Sequence, residues 1–408
     1  MHISSSRVIL IIPHSYMKNS RLFIIFLIIF VNLLGFGIIL PLMPYYVESL
    51  GAGPITLGLL LASYSLFQFI SAPILGELSD KIGRRPILLF SIGGTVLSFL
   101  LLGIANTIPL LFLARIIDGL SGGNISTAQA YIADITTKEN RTAGMGVIGA
   151  AFGLGFIIGP ALGGFLSQWG YGVPAFVAAG VALIATILTY FYLPESRVVT
   201  AQVMKKKKWF NPHDFYDALT HPKIGLILGV STVLTFSFTI LEGLFALFTQ
   251  TKFFLTAQQN GYIFAYIGVI AVIMQMAVLK PLMKKVREET LASIGIISMA
   301  CALTGVALSP NIGILMIAVT LLATSQGLIN PIFAGLVSKN SSDSEQGSIL
   351  GISQALGSLA RLFGPIVGVL IFSQIGISAP YIFSGMICLL SAIVFIKFFS
   401  PIKFKARL

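Results

Sequence analysis

Apolar runs of eighteen or more residues recur twelve times along the chain. They lie at roughly residues 22–46, 54–76, 87–106, 108–133, 142–168, 173–193, 223–250, 259–279, 291–309, 311–337, 349–374 and 378–399. About 20 apolar residues in helical conformation cross a bilayer, so each run is a candidate transmembrane helix. Several contain Pro and Gly, which membrane helices tolerate because neighbouring helices satisfy the freed backbone groups. The pattern predicts an all-α integral membrane protein of twelve spans. Its organisation is expected to be a terminal segment (1–21), six spans (22–193), a polar linker (194–222), six more spans (223–399) and a tail (400–408).

Composition sharpens this. The chain is 56% hydrophobic and only 10% charged, against about 25% charged in a soluble domain. That excludes an ordinary cytosolic enzyme, a disordered chain and a disulfide scaffold. The net charge of +12 would suit a nucleic-acid binder, but its placement argues otherwise. Of 26 basic residues, 23 lie at the termini and in the even-numbered connections, with Lys252 alone on the opposite side and Arg115 and Arg361 inside spans. By the positive-inside rule both termini and the linker face the cytoplasm of a cell membrane, and the basic excess faces anionic lipid rather than nucleic acid.

Smaller features follow. Val8 to Ile12 is too short for a signal-peptide core and ends at Pro13, and Met17 is an alternative start. Cys301 and Cys388 form no spacing motif. In the linker, Lys205 to Lys208 precede Trp209-Phe210 and a helix start at Asn211-Pro212, an amphipathic segment suited to a lipid surface. Across the linker the chain echoes itself. Glu139-Asn-Arg-Thr and Gly159-Pro160-Ala-Leu-Gly163 return as Glu345-Gln-Gly-Ser and Gly364-Pro-Ile-Val-Gly368, and Asp118-Gly119 returns as Gln326-Gly327, at offsets of 205 to 208. Two halves in equal orientation make a parallel repeat, and carriers built this way bind substrate near the midplane between the halves.

The connection after span two reads Gly76-Glu-Leu-Ser-Asp80-Lys-Ile-Gly83-Arg84-Arg85-Pro86. It resembles the signature loop of the major facilitator superfamily, G-x-L-a-D-r-x-G-R-[RK]. The resemblance implies a lock on the outward-open state, with Asp80 facing the start of span eleven near Gly347-Ser348. Span five holds Gly153-Leu-Gly155-Phe-Ile-Ile-Gly159-Pro160-Ala-Leu-Gly163-Gly164, which resembles the antiporter motif of proton-coupled drug exporters.

Span four carries Arg115 and Asp118. Taken as one helix, Arg115, Asp118, Gly122, Ser126 and Gln129 fall within about 60° of one direction and form a polar stripe. Asp134 below it is expected to meet Arg85. Span seven carries Glu242 in line with Ser231, Thr235, Thr239 and Thr249, flanked by Phe238 and Phe245. Desolvation favours the neutral carboxyl, which suits it to bind and release a proton. In span eleven Gln354, Ser358 and Arg361 share a face, and Arg361 is expected to pair with Glu242. Gln326 and Asn330 of span ten join the candidate cavity.

Span one, Asn32-Leu-Leu-Gly35-Phe-Gly37 to Pro44, also resembles these exporters, and the likeness to tetracycline exporters covers most of residues 22–195. Those exporters place an Asp at Asn32 and another near Ser98, so in this chain the proton falls to Asp118 or Glu242. With no G-x-x-x-x-G-K, no metal-ligand cluster and no nucleophile–base set, the expected protein is no enzyme and takes no cofactor. It is expected to be a monomeric carrier, driven by the proton gradient, that exports a small amphipathic or cationic compound. An uptake carrier on the same fold and a non-transporting sensor are the alternatives.

Overall fold

The computed structural model describes residues 14–137, 140–196, 212–340 and 346–399. The tail, most of the linker including its lysine run, and Glu139 and Glu345 of the internal repeat lie outside them.

Twelve helices are long and apolar enough to cross a membrane. In order they are Arg21–Ser49, Pro54–Ile82, Arg84–Gly103, Ile108–Ile135, Gly144–Trp169, Val173–Tyr192, Pro222–Phe253, Ala257–Met283, Glu288–Leu308, Ile312–Asn340, Ile349–Gln374 and Ala379–Phe399. These are spans one to twelve. They match the apolar runs in number and order, and several extend beyond them because polar residues at the membrane surface continue the helix. Spans two, four, six and seven open with Pro in the first turn, where its missing N–H costs nothing. Span eight opens on a reciprocal capping box between Thr256 and Gln259. Before span seven, helix Pro212–Thr220 packs on that span, with Leu219 O lying where a Cβ on Gly225 would stand.

Span four is two pieces, Ile108–Ser121 and Asn124–Ile135, broken at Gly122-Gly123. A Cβ on Gly123 would stand 2.7 Å from Ala72 Cα, and one on Gly119 2.5 Å from Tyr64 O, so spans two and four meet backbone to backbone. The continuous polar stripe expected along span four is therefore interrupted. Arg115 and Asp118 turn into the core, whereas Ser126 and Gln129 are exposed.

The repeat shows in an ion pair. Arg84, at the start of span three, reaches Asp134 at the end of span four, 3.4 Å apart. In the second half Glu288, at the start of span nine, bonds Lys339 at the end of span ten, 2.5 Å apart. The two contacts occupy equivalent places with their charges exchanged.

Candidate functional site

In the first half the membrane-embedded charges are closed on each other. Arg115 Nη1 lies 2.7 Å from Asp118 Oδ2, with both side chains buried. Spacing of three on a helix brings them together. The guanidinium also stands over the ring of Tyr64, 4.3 Å from its centroid. Gln68 donates to the Tyr64 hydroxyl at 2.9 Å and to Gly122 O at 3.1 Å, and Ser71 donates to Gly119 O at 2.9 Å. Span two thus carries a polar edge, Tyr64, Gln68 and Ser71, fitted against span four. Sequence reasoning missed it, although its spacing of four and three on an otherwise apolar helix is a readable signal.

In the second half the two membrane-embedded charges, Glu242 and Arg361, lie on different spans and stay apart. Glu242 is 9% exposed, and among the described residues no hydrogen-bond or ion-pair partner meets its carboxylate. The expected direct pair with Arg361 does not form. Arg361 lies along its own helix beside Gly357, and its Nη2 donates to Ser358 Oγ at 3.3 Å. The two charges still act on one another. Thr239 donates to Ala360 O at 3.1 Å and ties span seven to span eleven beside them. Phe238 is partly buried; Phe245 is withdrawn into the core against Phe264, ring centroids 5.5 Å apart, and does not flank Glu242 toward the cavity.

The glycines of span five serve close approach. A Cβ on Gly155 would stand 2.7 Å from Leu33 Cβ, on Gly159 2.7 Å from Leu34 O, and on Gly163 2.8 Å from Ile38 O, all in span one. Pro160 lies against Gly37 of the same span. Gly164 turns instead to the second half, where its added Cβ would stand 2.9 Å from Gly261 Cα of span eight. Asn32 is buried in span one, and Ser98 donates to Ala114 O at 3.0 Å.

At the signature loop Gly83 adopts φ +107°, open to glycine at little cost. Arg84 pairs with Asp80 at 2.7 Å as well as with Asp134. The expected Asp134–Arg85 contact is not made, because Arg85 turns outward to donate to Tyr190 O and cover the Tyr190 ring. Glu195, unnoticed in the sequence, accepts from the backbone N–H of Arg84 at 2.9 Å and of Arg85 at 3.1 Å. A carboxylate there answers the free N–H groups and dipole of span three's N-terminus. Gly76 has only Ser126 near the place of a Cβ, at 3.9 Å.

The two halves touch mainly toward the face opposite the basic one, here the far face. Gly58 of span two packs on Pro365 and Val369 of span eleven, and Gly164 on Gly261. Asn260 donates to the Tyr45 hydroxyl at 2.7 Å, which donates to Leu255 O, and Gln250 donates to Glu48. Toward the basic face, Gly149 and Gly351 have nothing within 4 Å of a Cβ. Gln129, Asn330 and Gln354 are exposed there, and Asn330 donates to Gln326 at 3.2 Å. The central space therefore opens to the basic face. With the basic face cytoplasmic, as the positive-inside rule expects, this is not the outward-open state in which the signature loop was expected to act as a lock.

A two-half helical bundle, closed toward one face, open toward the other and holding charges within its spans, has the form of a membrane carrier. The profile of the Major Facilitator Superfamily matches residues 25–365 and again 280–407. The chain is 30% identical to multidrug resistance protein 2 of Bacillus subtilis (strain 168), over 91% of its length and 93% of that protein's. It is 32% identical to the class D tetracycline resistance protein of Salmonella ordonez, over 87% and 90%. Among solved structures it resembles a nucleoside transporter, with a TM-score of 0.77 at 14% identity covering 94% of this chain and all of the other. The human organic anion transporter MFSD10 gives 0.70 at 23%, over 93% and 99%. The chain belongs to the Major Facilitator Superfamily: it is a multi-pass membrane transporter of small molecules and not an enzyme.

Proposed function

We propose that the protein exports small amphipathic or cationic compounds in exchange for protons, with its basic face, both termini and the linker in the cytoplasm. Alone, as one chain, it uses the proton gradient and no cofactor. The observation that carries this reading is Glu242, a buried carboxyl with no protein partner among the described residues, set where the halves meet. Asp118, by contrast, is committed to Arg115, so Glu242 is the acid that exchanges. Deprotonated and open to the cytoplasm, it attracts a cation in surroundings where Coulomb forces are weakly screened. Protonation from the far face removes that attraction and releases the cargo. The relatives' names, multidrug and tetracycline resistance proteins, support export. The test is reconstitution in vesicles with an inward proton gradient and a panel of amphipathic cations. Substrate-dependent dissipation of the gradient is expected, and Glu242→Gln abolishes it. Exchange that continues unchanged in both Glu242→Gln and Asp118→Asn refutes the coupling.

A further inference from the structure

Glu242 and Arg361 sit on two helices that touch on either side of them. Thr239 bonds Ala360 O, and a Cβ on Gly243 would stand 3.5 Å from Pro365 Cγ. The carboxyl and guanidinium are thus held near each other but beyond the 4.0 Å of an ion pair. The open pair is no default of this bundle, since Arg115 and Asp118 close at 2.7 Å. Glu242 is buried and Arg361 partly buried, and charges so withdrawn from water without a paired counter-charge are costly and call for a partner. Among the described residues, the helices packed around the gap bring no other charge to it. Span two presents Tyr64, near enough to feel the Arg361 charge, with the Arg115–Asp118 pair behind it.

We propose that the gap between Glu242 and Arg361 is a seat for a zwitterion, an amphipathic molecule whose cationic group meets Glu242 and whose anionic group meets Arg361. This rests on the exporter reading of the same site and narrows its cargo. A ligand with a positive charge alone satisfies Glu242 but leaves Arg361 uncompensated and repels it. A ligand with both charges completes both hydrogen-bonding sets and adds no net charge. Protonation of Glu242 then loosens one end of the ligand and leaves it held by Arg361 alone.

The probe is Nε-dansyl-lysine, which carries an ammonium and a carboxylate beside a fluorescent apolar ring. Its methyl ester keeps only the ammonium, and its Nα-acetyl derivative keeps only the carboxylate. Binding of the three to the purified full chain is followed by dansyl fluorescence. The zwitterion is expected to bind at least about tenfold more tightly than either derivative, the scale of a lost charge-assisted hydrogen bond. Arg361→Gln should reduce the zwitterion to the level of the ester without weakening the ester. Glu242→Gln should reduce it to the level of the acetyl derivative. Because the wild-type comparison needs no variant, a misfolded Arg361→Gln does not remove the test. Equal affinity for zwitterion and ester in the wild type overturns the inference, as does binding of none of the three. Proton-driven export of an amphipathic cation alongside either result would leave the exporter reading standing.

Discussion

Gly261→Ala should shift the carrier toward its far-face-open state. The new methyl would meet Pro160 O at 2.4 Å, Gly164 Cα at 2.7 Å and Gly164 N at 3.0 Å. All three are backbone atoms of span five, so no side chain can swing aside. Overpacking of this kind costs about 1–3 kcal/mol. The gain of about 1 kcal/mol in helix propensity from Gly to Ala is common to both states, because span eight is helical in each, and cancels in their ratio. The penalty applies only when spans five and eight are in contact, so the ratio of open to closed far face should rise about fivefold to 150-fold. Spin labels at Ile55→Cys and Ile375→Cys, exposed at the far ends of spans two and eleven, report that separation by pulsed dipolar spectroscopy. Cys301 is replaced by Ser, and Cys388 is buried from the label. Gly229→Ala, which meets nothing within 4 Å, is the control. An unchanged distance distribution in Gly261→Ala, or the same shift in both variants, would show that this contact does not hold the far face shut.

Arg115→Ala leaves Asp118 buried without its counter-charge and should cost about 3–5 kcal/mol, read as a fall in the thermal unfolding midpoint; the double change Arg115→Leu with Asp118→Leu should recover most of it. Tyr64→Leu should impair energised transport more than Tyr64→Phe, because the ring under Arg115 contributes about 1–2 kcal/mol. Equal loss in both would assign the role to the bond with Gln68 instead. Glu195→Ala uncaps span three at a cost of about 1 kcal/mol, and hydrogen exchange at Arg84 and Arg85 should quicken while the rest of the span keeps its protection.

The spans were legible because lipid imposes one rule on every residue in them, and apolar length alone reveals it. The pair Arg115–Asp118 was legible for a similar reason: both members lie on one helix, and a spacing of three fixes their approach. Contacts between helices were harder. Glu242 and Arg361 have opposite charges and suitable depths, but sequence could not say that the arginine lies along span eleven toward Ser358. The same limit exchanged Arg84 for Arg85 as the partner of Asp134, since neighbouring residues on a helix point about 100° apart. Glu195 was invisible because its partners are backbone groups 110 and 111 residues earlier. The break in span four was written as Gly122-Gly123, yet in a Gly-rich membrane chain the same dipeptide elsewhere leaves a helix whole, as Gly93-Gly94 does in span three.

Span five meets its own half through Gly155, Gly159 and Gly163 and the other half through Gly164. Its far end has backbone against backbone on both sides, whereas Gly149 near the opposite end has nothing within 4 Å of a Cβ. A small-molecule blocker of the conformation described here therefore has to arrive through the basic face, and must first cross the membrane if that face is cytoplasmic. Compounds that stay outside the cell would have to wait for the carrier to turn.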